Sequence, residues 1–293
     1  MAFITQSPGS CGEFIQGVLG GQRFLVTCPI NRYSMALSDV SMPLRYPAAS
    51  LQHKSICAKK ITLDYLSCDK EIPVYLHSYI AQEKGMASSS ADISAVCQAA
   101  ALACGRSLSW DELALLALRI EPTDVTFYPG TVQFDYLKGR LNYFLGKLPV
   151  MTILVYDTGG EVNTVEFNGR TDLTDLRKRN ESIMENALWL FKSGLAQKKR
   201  QLIGKAATMS AFANQSLLYK EDLSLFHDIG RFYGSCGTIV AHSGTVMGLI
   251  FCPQSPNIVA CRQELAWQLP QLDYVDTVET TNSGLTYCKV PSK

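Results

Sequence analysis

Apolar residues fall into short alternating runs near the start of this chain and into three- and four-residue spacings further on, so strands and helices are both expected. Over 23–38, Phe24, Val26, Ile30, Tyr33, Met35 and Leu37 make a β-branched and aromatic pattern that predicts strands broken near Pro29. A loop and short helix are expected around Pro43 and Pro47, and 60–66 alternates like another strand. Between 90 and 104, Ile93, Val96, Cys97, Ala100 and Cys104 recur at helical spacing, with Gly105 where a left-handed helix stop belongs. Ser109 and Glu112 have the spacing of a capping box, which opens a second helix through Trp110, Leu113, Leu116, Ala117 and Ile120 that must end before Pro122. A strand is predicted over 151–156, followed by Gly159-Gly160. Helical stretches over roughly 173–192, 198–214 and 223–233 then lead to strands at 238–241 and 246–251 around Ser243-Gly244.

This order predicts an α+β protein, and the strand at 151 is where a second domain would begin. Two packed domains, 1–150 and 151–293, suit a chain of 293 residues. With 47% hydrophobic and 18% charged residues, the composition supports a large core and gives no case for extended disorder. The net charge of +1 supplies no broad field for nucleic acid or an anionic membrane, and the run Lys198-Lys199-Arg200 reads as a solvated helix end. None of the ten cysteines is spaced Cys-x-x-Cys, so small reduced thiols are expected rather than a zinc site. Residues 1–6 lack the pattern of a secretory leader, and no later segment has the length and apolarity of a membrane span, so a cytoplasmic protein is expected. No heptad or isolated apolar stripe marks an oligomer interface.

Four segments could carry chemistry. Gly85-Met86-Ala87-Ser88-Ser89-Ser90-Ala91 lies just before the 90–104 helix, where unpaired backbone N–H groups and the helix dipole attract anions and small side chains let phosphate come close. Its serines also offer hard oxygen donors of the kind magnesium takes. It lacks the Gly-Lys-Ser/Thr ending of a Walker loop and the three-glycine dinucleotide fingerprint, and a plain Ser-rich cap reads the same way. Ser7-Pro8-Gly9-Ser10-Cys11-Gly12-Glu13-Phe14 sets a carboxylate in a flexible stretch that either holds a substrate ammonium or hydroxyl or is a bare turn. No histidine stands near Cys11 to make it a nucleophile. Glu121-Pro122-Thr123-Asp124 carries two carboxylates at a helix break, either helix-end charges or a metal ligand and a proton acceptor, and Asp135 is a further acid to consider. His242-Ser243-Gly244-Thr245-Val246-Met247-Gly248 is either a plain hairpin or a turn whose amides approach a ligand, and no Gly-x-Ser-x-Gly elbow supports a triad using His242.

In this order the segments resemble the motifs of the GHMP kinases, with Ala87 where the family pattern has glycine and Ala81 where proline is common. Pro8 to Gly17, Lys84 to Ser89, Ile120 to Asp124 and Ala241 to Gly244 together are similar to one branch, the L-threonine kinases of cobalamin synthesis, over nearly the whole chain. The resemblance implies an N-terminal domain like that of ribosomal protein S5 and a ferredoxin-like C-terminal domain, with ATP between them. It implies that Lys84, Gly85, Met86, Ala87, Ser88, Ser89 and Ser90 bind the nucleotide, that Ser89 or Ser90 and Glu121 hold Mg2+, and that Asp124 is the catalytic acid-base. Ser10, Cys11, Gly12, Glu13, Gln16, His242, Ser243, Gly244 and Thr245 would line the acceptor site. The acceptor it implies is L-threonine, phosphorylated on its side-chain hydroxyl for the aminopropanol linker of cobalamin. L-Serine, homoserine or an amino alcohol would suit the same fold, and so would a nucleotide-binding regulator without catalysis.

Overall fold

Two strands of 18 residues each, β1 (Ala2–Leu19) and β2 (Gln22–Asp39), run antiparallel through the middle of the molecule. They are joined by Gly20-Gly21, both at positive φ, which lets a two-residue turn follow the strand twist. The computed structural model describes residues 2–39, 53–140, 142–160 and 170–290. β3 (Val74–Ser78), β4 (Thr131–Phe134) and β5 (Asn142–Gly146) extend the β2 side, while β6 (Thr152–Asp157), β7 (Gly237–Val240), β8 (Val246–Phe251), β9 (Asp273–Glu279) and β10 (Thr286–Val290) extend the β1 side. The result is a ten-stranded sheet of order β5-β4-β2-β1-β7-β8-β6-β9, with β10 paired to β1 and β3 to β2.

Helices bury the sheet through separate apolar clusters. α1 (His53–Tyr65), α2 (Ser88–Ala103) and α3 (Trp110–Leu118) share a cluster with Leu25, Val74, Leu113 and Phe134. α4 (Leu173–Arg179) is followed by α5 (Glu181–Gln197) and α6 (Arg200–Asn214), and Phe191, Ile203 and Ala207 of α5 and α6 pack with Phe14, Val26 and Ile239. α7 (Leu223–Phe232) and α8 (Ile258–Gln268) close a third cluster around Leu154, Phe226, Leu249 and Leu265. Among the described residues no helix is long and apolar enough to cross a membrane.

Local signals that carry their own hydrogen bonds are met as expected. α3 has its capping box, with Glu112 N–H on Ser109 Oγ and Ser109 N–H on the Glu112 carboxylate. α2 ends at Gly105, whose φ of +83° sends its N–H to Leu102 O and that of Arg106 to Ala101 O, a Schellman close.

Other expectations are corrected. The 60–66 strand is the end of α1, because Ser55, Ala58 and Thr62 form a small helical face turned inward, with Thr62 Oγ1 donating to Ala58 O. The break at Pro29 is absent, since β2 continues and the irregularity is absorbed by register shifts in β1 between Pro8 and Ile15, with Ser10 opposite Pro29. The 7–14 segment is therefore bulged strand rather than flexible turn. The first predicted C-terminal helix is divided at Asn180 into α4 and α5. The expected loop and short helix at Pro43 and Pro47 lie outside the described residues.

Candidate active site

The bulges of β1 matter because the loop before α2 docks on them. Ser10 N–H donates to Met86 O at 2.9 Å, and on the other side of the loop Thr245 and Val246 N–H both reach Lys84 O at 3.1 Å. Gly85 has a φ of +83°, and a Cβ there would lie 2.3 Å from Ala241 Cβ, so loop and turn meet with no room for side chains. Ala87 caps α2 in the left-handed region and offers no side-chain acceptor. The first amides of α2 thus find no hydrogen-bond acceptor in the N-cap side chain, and no acidic residue in the first turn repels an anion. Ser88 and Ser89 are part-exposed there, while Ser90 is buried.

Ser90 ties α2 to the segment after α3. Asp124 N–H donates to Ser90 Oγ at 3.1 Å, and the Asp124 carbonyl accepts from Thr27 Oγ1 at 2.6 Å. The next residue, Val125, has a φ of +49°, a strained conformation for a β-branched side chain that the surrounding bonds must hold. Asp124 is pushed up to about 8, first by its desolvation and then by the charges of Glu13 and Glu121, with Ser90 pulling the other way. A carboxyl near neutrality is matched to accepting a proton from an alcohol. Glu121 is paired with Lys54.

Glu13 comes from β1 and is buried. Its Oε2 accepts from His242 N–H at 2.9 Å and lies 3.0 Å from His242 Nδ1. The other ring nitrogen, Nε2, is 2.8 Å from Ser210 Oγ, which also accepts from Gln16 N–H. A carboxylate oxygen only accepts, so the contact with Glu13 puts a proton on Nδ1, while Ser210 Oγ also lies 3.7 Å from Met184 Sδ. Thr245 O accepts from Thr158 N–H and Oγ1, and Lys84 Nζ sits 2.7 Å from Asp157 Oδ2. Burial pushes Asp157 up, but hydrogen bonds from Lys84, Thr245 and Gly159 outweigh it and hold the carboxyl below its usual range.

The segments that sequence reasoning singled out thus converge on one place. Ser10, Glu13, Lys84 to Ser90, Asp124 and the 242–245 turn are linked by the contacts above, and the buried Ser10 Oγ has no partner among the described residues. Cys11 points elsewhere: it is buried in the core, where Gly248 has no side chain, and desolvation and then Glu13 push its thiol up to about 12. Gln16 joins through its backbone only. Asp135 caps its own loop, accepting from Leu137 and Lys138 N–H at 3.1 Å. Three participants escaped the sequence: Asp157, Ser210 and the buried Lys220, whose Nζ donates to Gly244 O at 2.6 Å. Ser210 and Lys220 stand apart from any glycine-rich stretch, and Asp157 lies just before Gly159-Gly160, outside the four segments.

This architecture is that of a small-molecule kinase. It superposes on a homoserine kinase from Cytophaga hutchinsonii with a TM-score of 0.71, at 15% identity over 98% of this chain and 97% of the other. Residues 52–129 match the family model described as GHMP kinases N terminal domain. An L-threonine kinase of Salmonella typhimurium is 31% identical over 90% of this chain and 87% of its own length. One from Citrobacter freundii is 32% identical over 84% and 85%. The chain belongs to the GHMP kinase family, in the group these L-threonine kinases form. Membership makes it an ATP-dependent phosphotransferase.

Proposed function

We propose that the protein transfers the terminal phosphoryl group of ATP to the side-chain hydroxyl of L-threonine, giving L-threonine O-3-phosphate and ADP for the aminopropanol linker of cobalamin. Residues 1–150 form the nucleotide domain and 151–293 the second domain. The observation that carries the reading is the placement of Asp124, a carboxyl held near neutrality and bonded to Ser90 in the first turn of α2. The loop from Lys84 to Ser90 and the amides of α2 receive the phosphates. Asp124 accepts the hydroxyl proton as the threonine oxygen bonds to the γ-phosphorus, and the bond from that phosphorus to the β,γ-bridging oxygen breaks, leaving ADP. Such a transfer asks for in-line positioning and charge neutralisation more than covalent help.

The donor chemistry fits a hard dication, because beside the desolvation that first raises Asp124, Glu13 and Glu121 add negative charge around it. Ser89 or Ser90 and Glu121 would hold magnesium, which supplies charge neutralisation to the phosphates when bound. Among the described residues no three acidic, His or Cys side chains form a protein-only metal site, and magnesium commonly completes its shell with water and phosphate oxygens.

The test is a panel of L-threonine, L-serine, L-homoserine and 1-amino-2-propanol with ATP, with phosphate transfer followed by mass. Threonine should be the preferred acceptor. Absence of substrate-stimulated ADP release across the panel would sink the proposal, and a preferred acceptor other than threonine would redirect it.

A further inference from the structure

Lys220 lies between α6 and α7 and is only 5% exposed. Its backbone is clamped by one side chain in both directions: Lys220 N–H donates to Gln215 Oε1 and Gln215 Nε2 donates to Lys220 O, each at 2.8 Å. Its ammonium has three hydrogens to donate, and among the described residues its one hydrogen-bond acceptor is Gly244 O, at 2.6 Å. The carboxylates that act on it are Glu13 first and then Asp157. Both are already engaged, Glu13 by His242 and Asp157 by Lys84. A buried ammonium left with spare donors is costly unless an anion completes it.

A hydroxy amino acid brings three polar groups to a kinase: the hydroxyl, the ammonium and the carboxylate. Asp124 serves the first. Glu13, which acts electrostatically on Asp124 and on Lys220 alike, stands where a cation is favoured and keeps Oε1 clear of His242. The third group needs a cation within reach of Glu13, and Lys220 is one on which Glu13 acts. Building on the acceptor proposed above, we infer that Lys220 is a specificity residue of the acceptor site, its Nζ taking the α-carboxylate of the amino acid while its bond to Gly244 O holds the turn in place. The phosphates have their own donors in the α2 amides, so the acceptor carboxylate rather than a phosphate is the fitting anion.

The experiment compares L-threonine with L-threoninamide, which keeps the hydroxyl and amine but has no carboxylate, on the wild-type protein and on Lys220→Met. The wild type should prefer threonine by about 10- to 100-fold in kcat/KM, as expected for one hydrogen bond to a charged group. Lys220→Met should lose that preference through the KM for threonine, with the KM for ATP within about twofold of wild type. Equal losses with acid and amide would make the lysine a prop for the turn and overturn the assignment. An intact acid preference with a raised KM for ATP would also overturn it, by placing the lysine on phosphate. A wild type active on ATP with another alcohol but on neither threonine compound would remove the acceptor proposal itself. If Lys220→Met does not fold, a crystal structure of the wild type with threonine decides: a carboxylate beyond about 4 Å from Nζ rejects the inference, and one within hydrogen-bond range supports it.

Discussion

Ser90 and Asp124 hold each other twice: Ser90 Oγ accepts from Asp124 N–H at 3.1 Å, and its hydroxyl points back to Asp124 Oδ2 at 3.4 Å. The first turn of the helix that would receive the nucleotide therefore also fixes the carboxyl that would receive a proton. Thr27 of β2 fixes the same residue through its carbonyl, so that two elements, α2 and β2, hold one residue. Positioning of this kind is what phosphoryl transfer asks of a protein.

If Asp124 is the proton acceptor, Asp124→Asn keeps the shape and the hydrogen bond to Ser90 but cannot accept the proton. Turnover should fall by about 10²- to 10⁴-fold, with nucleotide affinity nearly unchanged. Single-turnover kinetics and calorimetric titration with ATP separate the two quantities; near-normal turnover would remove Asp124 from that role.

The same variant should be more stable than the wild type, and increasingly so as pH rises. Asp124 has its carboxyl raised from 3.8 to about 8 in the folded protein, so between these values the folded state holds a proton that the unfolded chain releases. Its contribution to stability is undiminished below the unfolded value and falls as pH rises toward about 8. Asparagine does not titrate, so the gain for Asp124→Asn should be larger near pH 8 than near pH 5, by ~1 kcal/mol or more. Urea denaturation at both pH values measures it, and a gain that does not grow with pH would contradict the raised carboxyl.

Glu13 is among the causes of that elevation, second to desolvation. Glu13→Gln keeps an acceptor for His242 N–H and removes the charge. The limb of the kcat/KM profile that reports Asp124 should therefore move to lower pH, and kcat/KM for threonine should fall about tenfold or more as the partner for an ammonium is lost. A pH–rate profile of the variant checks the direction; an upward move would show that Glu13 does not act on Asp124 through its charge.

How much of this could be read from the sequence depended on how local each cause was. The capping box at Ser109, the stop at Gly105 and the Ser-rich entry to α2 are written within a few neighbouring residues and hold in the structure. The strand reading of 60–66 failed because a helix built on the small face of Ser55, Ala58 and Thr62 is specified by what it packs against, here α2. The bulged strand of 7–14 could not be foreseen without its partners, Pro29 and Thr27 of β2 and Val240 of β7. The site residues with glycine neighbours were legible as motifs. Lys220 was not, because it reaches the site only when the 215–222 loop is folded against the 242–245 turn.

That turn also sets the last prediction. Gly85 and Gly244 pass so closely that a Cβ on Gly85 would sit 2.3 Å from Ala241 Cβ and 3.0 Å from Gly244 Cα, and the φ of +83° at Gly85 adds a conformational penalty for any other residue. Gly85→Ala should therefore push the 84–90 loop off the turn, break the bonds that Lys84 O accepts from Thr245 and Val246, and raise the KM for ATP by about tenfold with a fall in Tm. The two costs can be separated. Ala241→Gly in the same chain removes the methyl group that the new Cβ would strike hardest and leaves the φ penalty of ~1 kcal/mol and the 3.0 Å approach to Gly244 Cα. The double variant should thus recover most of the ATP affinity while staying less stable than the wild type. Calorimetric titration with ATP and thermal unfolding of both variants measure this; a double variant no better than Gly85→Ala would mean that backbone conformation, and not the contact with Ala241, fixes the loop.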